Sequence, residues 1–402
     1  MLRPRRHADR LVVARPSSDV LALSFQHLLE SAVLRCSSHR LSCGIAVHHP
    51  TFIENLMPYL PPKRKTMSPA VATLAVAATT AIAAAVWNRY KAKQAERDDP
   101  PIGRFIDVDG VRLHYTDTGR GPCVVLLHGN TVLLQDFEAS GVTGMLAEDH
   151  RVISFDRPGF GYSERPRNRL WTAQAQAALL QRALELLRAD KPVVIGHSWG
   201  TLVALSLAVD SPAQVRGLVL VSGYYFPSAR LDVAMTAPAA MPVVGDVLRY
   251  TASPFAGRLL MKKTVQAMFA PASMPEAFFG SMPREMLLRP SQIRATSEDA
   301  AFMIPAATRL RDHYPSIDMP VRIFAGAGDK VVDPESHSAR LHAVLPNSTL
   351  DVELDAGHMV HYKIAALICA AVSDIEAQTP HSPAAKGSGQ PHANRPEAIA
   401  AS

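Results

Sequence analysis

Ser198, Asp329 and His358 are the residues of this 402-residue chain whose types, order and surroundings could do chemistry together. A serine hydroxyl is a weak nucleophile unless a base takes its proton and a third group orients that base. Ser198 is the centre of Gly196-His197-Ser198-Trp199-Gly200, a Gly-x-Ser-x-Gly pattern. The apolar run Val193–Ile195 precedes it and the helix-like run Thr201–Leu205 follows. That is the context of a nucleophile elbow, a sharp strand-to-helix turn that needs small neighbours on both sides. The helix starts at the serine, so its free N–H groups and positive dipole end face any oxyanion that develops there. Asp329 closes the Gly-rich turn after the apolar run that ends at Phe324. His358 follows Gly357, just beyond the run Leu350–Leu354. The order serine, acid, histidine is the one that accompanies such an elbow. Asp333, four residues past Asp329 and just before Pro334, is the alternative acid; His361 is the alternative base.

These residues need a scaffold that ends several strands at one edge. Phe105–Val108 and Val111–Tyr115 flank Asp109-Gly110, a hairpin signature. Continuous apolar runs follow at Cys123–Leu127, Val152–Phe155, Val193–Ile195, Leu218–Val221, Val321–Phe324 and Leu350–Leu354. Runs of this kind suit strands of a parallel sheet covered on both faces. Helical periodicity lies between several of them, clearest at 173–188. Strand–helix alternation over some 270 residues predicts an α/β fold with a mostly parallel sheet flanked by helices. One block, roughly Pro227 to Asp318, breaks the alternation. It holds 8 of the 14 methionines, many prolines and no clear strand, so it reads as a helical cap over the strand ends. A greasy cavity beneath it is expected; each methionine or phenylalanine taken singly could equally be packing the cap to itself.

From Arg104 to about Glu376 the chain resembles the capped serine hydrolases of the α/β-hydrolase fold. Four motifs carry the resemblance: Leu127-His128-Gly129-Asn130, Asp156-Arg157-Pro158-Gly159-Phe160-Gly161-Tyr162-Ser163, the Gly-His-Ser-Trp-Gly elbow, and the Gly-Asp and Gly-His pairs at 328–329 and 357–358. The resemblance implies Ser198 as nucleophile, His358 as base and acid, and Asp329 as its orienter. It implies an oxyanion hole from the backbone N–H groups of Asn130 and Trp199, and a structural loop at Asp156–Ser163. His128 and His197 are then structural or line the pocket, and with Met359 they form the expected substrate-binding set. His-Gly-Asn with a tryptophan after the nucleophile is also similar to haloalkane dehalogenases and epoxide hydrolases. Those use an aspartate, whose alkyl ester is reopened at the acyl carbon. A serine would form an alkyl ether that water does not readily cleave, so acyl chemistry fits Ser198 better. The implied reaction is hydrolysis of a carboxylic ester or related acyl compound, apolar and small to medium in size, with no cofactor. C–C, amide or lactone hydrolysis, acyl transfer and perhydrolysis use the same triad. A ligand-binding or signalling protein on this scaffold is the rival from another class.

The formal charge of +6 is confined to the leader. Residues 1–66 carry 10 Lys/Arg and 4 Asp/Glu, which leaves 32 of each sign in the remainder. The main domain therefore has no electrostatic footprint for nucleic acid. The leader reads as a targeting segment, a disordered arm, or sequence upstream of a start at Met67. Ser68–Trp87 is 20 residues without a charge, nine of them alanine, followed by Arg89, Lys91, Lys93 and Arg97. Three readings are open: a single membrane anchor, a secretory signal that would send the domain outward, and an Ala-rich soluble helix. A membrane-tethered interaction protein is the further reading this segment allows. Residues 67–100 are thus read as an Ala-rich anchor or signal helix and linker, 101–376 as the hydrolase-like domain with its cap at about 227–318, and 377–402 as a disordered tail rich in Pro, Ser, Gly, Ala and His. Cys36, Cys43, Cys123 and Cys369 show no metal spacing, and no His/Cys/Asp set has ligand spacing along the chain.

Overall fold

The computed structural model describes residues 67–229 and 231–379. The basic leader and nearly all of the expected tail lie outside the described residues. Eight strands form one sheet in the order β1-β2-β4-β3-β5-β6-β7-β8. β1 (Arg104–Val108) and β2 (Val111–Thr118) form the hairpin, turning at Asp109-Gly110, both at positive φ. β2 runs antiparallel to β4 (Arg151–Phe155). From β4 onward, β3 (Cys123–Leu127), β5 (Val193–His197), β6 (Gly217–Val221), β7 (Val321–Gly326) and β8 (Ser348–Glu353) are all parallel. This is the mostly parallel α/β sheet that the apolar runs predict.

Period-two side chains divide between two cores. Val125, Leu127, Ile153, Phe155, Val194 and Leu220 belong to one. Val124, Leu126, Val152, Ile195, Val219 and Val221 belong to the other. Every residue of β3, β5, β6 and β7 is buried, as expected for strands sandwiched between helices. β8 has no fully buried residue, because it lies at one edge of the sheet.

Helices are labelled in chain order as α1 (Pro69–Asp98), α2 (Ala173–Leu186), α3 (Gly200–Asp210), α4 (Leu231–Ala240), α5 (Val244–Tyr250), α6 (Ala252–Phe269), α7 (Pro290–Leu310) and α8 (Ala365–Gln378). α2 and α3 pack against the first core, α8 against the second. Thr172 caps α2 by accepting the Ala175 N–H at 3.2 Å. α4 to α7, with two single-turn helices between α6 and α7, form the insertion between β6 and β7. α1 begins at Ser68, whose hydroxyl accepts the Val71 N–H, with Pro69 in the first turn. Its last half lies on the insertion. Asn88 donates to the carbonyls of Tyr250 and Thr251, Arg258 donates to Asn88, and Glu96 pairs with Arg289.

One buried ion pair fastens the insertion to the sheet. Asp299, on α7, meets Arg157 at 2.6 Å and Arg165 at 3.0 Å, with all three side chains nearly or fully out of solvent. Gln176 of α2 donates to the same carboxylate at 3.1 Å. Removing one partner of such a pair strands the other charge without water. Asp299→Ala is therefore expected to lower stability by about 3–5 kcal/mol. Urea unfolding followed by circular dichroism checks it, and a loss below about 1 kcal/mol, the level of an exposed pair, would show that the pair does not fasten the insertion.

Candidate functional site

Three loops at one edge of the sheet bring Ser198, His358 and Asp329 together. Ser198 directly follows β5 with φ +51, the left-handed region that costs energy for a side-chain-bearing residue. The turn is held from both sides. The Ser198 N–H donates to the Val221 carbonyl on β6, and the Ser198 carbonyl accepts from the Thr201 N–H at 3.0 Å and the Thr201 hydroxyl at 2.6 Å. A Cβ on Gly200 would lie 2.1 Å from the Leu127 carbonyl oxygen, so α3 can approach β3 only with glycine there. The result holds Ser198 half-buried at the mouth of α3, while its neighbours are fully covered.

A hydrogen-bonded chain runs from this serine. Ser198 Oγ and His358 Nε2 are 2.9 Å apart, and His358 Nδ1 and Asp329 Oδ2 are 2.7 Å apart. Both His358 and Asp329 are buried. The second carboxylate oxygen, Asp329 Oδ1, accepts the N–H groups of Val331 and Val332 at 2.8 and 2.9 Å. Those donors hold the carboxylate aimed at His358, whose Nδ1–H it accepts in the tautomer that leaves Nε2 facing Ser198. His358 Nε2 then carries the lone pair that can take a proton from Ser198. Asp333, the alternative acid, is exposed and its carboxylate accepts the Ser336 N–H at 2.8 Å. The Ser336 hydroxyl holds its carboxyl below the usual range. His361, the alternative base, points away and binds Asp136 at 3.0 Å.

The neighbouring amides have defined orientations. In a trans peptide the C=O and the following N–H point in opposite directions. The Gly129 carbonyl accepts from Arg157 Nη2 at 2.9 Å and from His128 Nδ1 at 2.7 Å, so the Asn130 N–H points away from Arg157. The Ser198 carbonyl points into α3, so the Trp199 N–H points back out of the helix start. A Cβ on Gly129 would lie 3.1 Å from the Ser198 Cβ, which shows how closely this loop passes the serine.

His128 and His197 do not line the pocket, against the expectation for the substrate-binding set. His128 is buried; its Nδ1 donates to the Gly129 carbonyl and its Nε2 accepts the Arg157 N–H at 3.0 Å. Burial and the Arg157 charge hold its pKa down at about 3, so it is neutral and braces the loop. His197 donates through Nε2 to the His358 carbonyl at 3.1 Å, bracing the base from behind. Burial, then repulsion from His361 and His358, keeps it far below the ordinary histidine value. Met359 does line a cavity of about 320 Å³, together with Thr131, Val132, Val265, Met268 and Phe278.

Two features escape sequence reading. Arg157 reaches the carbonyls of His128 and Gly129, the carboxylate of Asp299 and the face of Trp199. Asp136, His197 and His361 gather their donor atoms within 4.8 Å of one another, although nothing in their spacing along the chain suggests a cluster. The Asp136 carboxylate is already engaged by His361 and by the Tyr362 hydroxyl at 2.9 Å, and serves as a buried hydrogen-bond centre under His197.

Known proteins match this architecture. The family model of the α/β hydrolase fold matches residues 122–363. The chain belongs to the α/β-hydrolase family. It is 28% identical over 287 residues to haloalkane dehalogenase 2 of Mycobacterium tuberculosis (strain ATCC 25618 / H37Rv), a match covering 68% of this chain and 94% of that protein. It is 38% identical over 149 residues to 2-hydroxymuconate semialdehyde hydrolase of Pseudomonas sp. (strain CF600), covering 33% of this chain and 48% of that protein. The crystal structure of the enol-lactonase from Burkholderia xenovorans LB400 superposes with a TM-score of 0.57 at 19% identity, over 68% of this chain and 100% of that one, a likeness of fold. This α/β hydrolase is thus a hydrolase whose relatives differ in the bond they cleave.

If Asp329 orients His358, Asp329→Asn reverses the hydrogen-bond direction and stabilises the wrong tautomer. A fall in kcat on the order of 10³–10⁴ is expected, with the fold intact. Asp333→Asn should leave kcat close to wild type. The reverse pattern in steady-state ester hydrolysis would assign the acid to Asp333.

Proposed function

We propose that this α/β hydrolase is a serine hydrolase that cleaves a carboxylic ester or related acyl substrate through an acyl-enzyme. The observation that carries the proposal is the unbroken chain from Ser198 Oγ through His358 to Asp329. Ser198 Oγ attacks the acyl carbonyl carbon while His358 Nε2 takes its proton. The oxyanion is held by the N–H groups of Asn130 and Trp199. When the carbon–oxygen bond to the alcohol breaks, His358 returns the proton to the leaving oxygen. Water then enters and gives a proton to His358 as its oxygen attacks the acyl carbon; the bond to Ser198 Oγ breaks, His358 returns the proton to Oγ, and the acid leaves. Asp329 keeps its hydrogen bond to Nδ1 and stabilises the imidazolium. The cycle needs no cofactor. The cavity between Met359 and the insertion is apolar, which suits a hydrocarbon acyl group.

The names of the relatives bear on the choice of bond. A serine attacking a haloalkane carbon would end as a stable ether, so dehalogenation fits this chain poorly despite the 28% match. Carbon–carbon hydrolysis also begins with a carbonyl, and the 38% match over part of the chain favours it as the second reading. In the same proposal, α1 anchors the enzyme in a membrane. Its apolar window is long enough to cross a bilayer and is not buried against the protein. The insertion acts as a cap over the acyl cavity.

A panel of p-nitrophenyl esters of increasing chain length tests the reaction. Turnover is expected, rising with chain length until the cavity is filled. Ser198→Ala and His358→Ala should each lose a factor on the order of 10⁴–10⁶ in kcat. Folded wild-type protein with no turnover on the panel, but with a ligand bound and recovered unchanged, would favour a binding role instead.

A further inference from the structure

The large apolar side chains left exposed are not scattered. Among the described residues, 16 of the 24 fall in two segments, Met67–Tyr90 and Met235–Leu260. Scattered exposure needs no explanation; a contiguous apolar face does. The two segments are joined in space by the Asn88 bonds to Tyr250 and Thr251 and by Arg258 on Asn88. On the insertion beside α1, Val243 and Val247 lie one helical turn apart at α5, and Phe255 and Leu259 one turn apart on α6, all exposed.

The cavity opens on the same helix. Its lining passes from Leu260, 54% exposed on α6, inward through Met261 and Val265 to Met359, the neighbour of His358. At about 320 Å³ it sits at the small end of the range for ligand sites, room for one acyl chain and no more of a lipid. The α1 sequence fixes the depth of this mouth. Ser68–Trp87 carries no charge, Trp87 and Tyr90 are exposed aromatics, and Arg89, Lys91 and Lys93 follow. That is the order hydrocarbon, aromatic belt, basic flank. Asn88, at the belt, is the residue bonded to the start of α6. Ile82 lies six residues further in, about 9 Å at the helical rise. With α1 across a bilayer, the exposed apolar side chains beside the cavity mouth would lie at its surface, beside the exposed Lys262 and Lys263, which suit anionic headgroups.

We propose that α1 and the cap form one membrane-docking face with the cavity mouth on it, and that the substrate is an acyl ester of a membrane-resident lipid, entering chain-first from the bilayer. This rests on the serine hydrolase reading. The acyl carbon reaches Ser198 with its hydrocarbon in the cavity, and the headgroup alcohol leaves on the proton from His358.

The test uses the full chain in vesicles of phosphatidylcholine and phosphatidylglycerol carrying a fluorogenic single-chain acyl ester, beside soluble p-nitrophenyl butyrate. Leu259→Asp and Val247→Asp change the face without touching the cavity lining or the triad. The proposal expects wild type to cleave both esters. It expects each variant to cleave the vesicle ester at least tenfold more slowly and the soluble ester at the wild-type rate. Wild-type vesicle turnover in both variants would overturn it. Wild type that cleaves the soluble ester but not the vesicle ester would overturn it while leaving the serine hydrolase reading intact. Wild type inert on both would overturn the two together. A variant that turns a dimer into a monomer, with vesicle turnover unchanged, would assign the face to a second copy of the chain and also overturn it.

Discussion

Arg157 is the constraint on which the site depends. Its guanidinium is fully buried and every contact it makes is to a part of the site or to what supports it. It holds the carbonyls of His128 and Gly129, and so sets the direction of the Asn130 amide. It lies 4.6 Å over the Trp199 ring and pairs with Asp299 of the insertion. Trp199 in turn donates its indole N–H to the Asp299 carbonyl at 2.8 Å. Loop, elbow and insertion thus meet at one cation. Burial pulls the Arg157 pKa down, and Asp299 restores the charge that burial opposes. A buried charge of this kind is stable only when every donor is matched, which is why the four partners come from three separate segments.

The second support is behind the base. His197 carries the His358 carbonyl, and His197 stacks near His361, which is held by Asp136. All of these are out of solvent. His358 is therefore fixed by its side-chain bond to Asp329 in front and by its own backbone at the rear. In the proposed mechanism, a base held at both ends would lose little orientation as it takes the proton of Ser198.

The parts legible in the sequence are those written in local pattern. Continuous apolar runs give β3, β5, β6 and β7, and Asp109-Gly110 gives the hairpin. The Gly-x-Ser-x-Gly spacing marks Ser198, because only small residues fit where α3 crosses β3. The parts that were not legible are contacts between distant segments. Arg157 and Asp299 are separated by 142 positions, and Asp136 and His361 by 225. No periodicity or spacing records such a meeting. His128 and His197 illustrate the same limit. Next to motif residues they resemble pocket walls, yet both turn into the protein to satisfy buried backbone groups, since an unpaired carbonyl there would cost more than a pocket contact returns. The exposed face of the insertion is likewise invisible in composition. Its methionines and valines look like core until α1 and the sheet leave part of them uncovered.

The proposal that Ser198 is a nucleophile activated by His358 can be tested by peptide mass spectrometry after treating the folded chain with a fluorophosphonate. A single phosphonyl adduct on Ser198 is expected, formed far more slowly in His358→Ala. No adduct on folded protein, or an adduct on another residue with Ser198 unmodified, would contradict it.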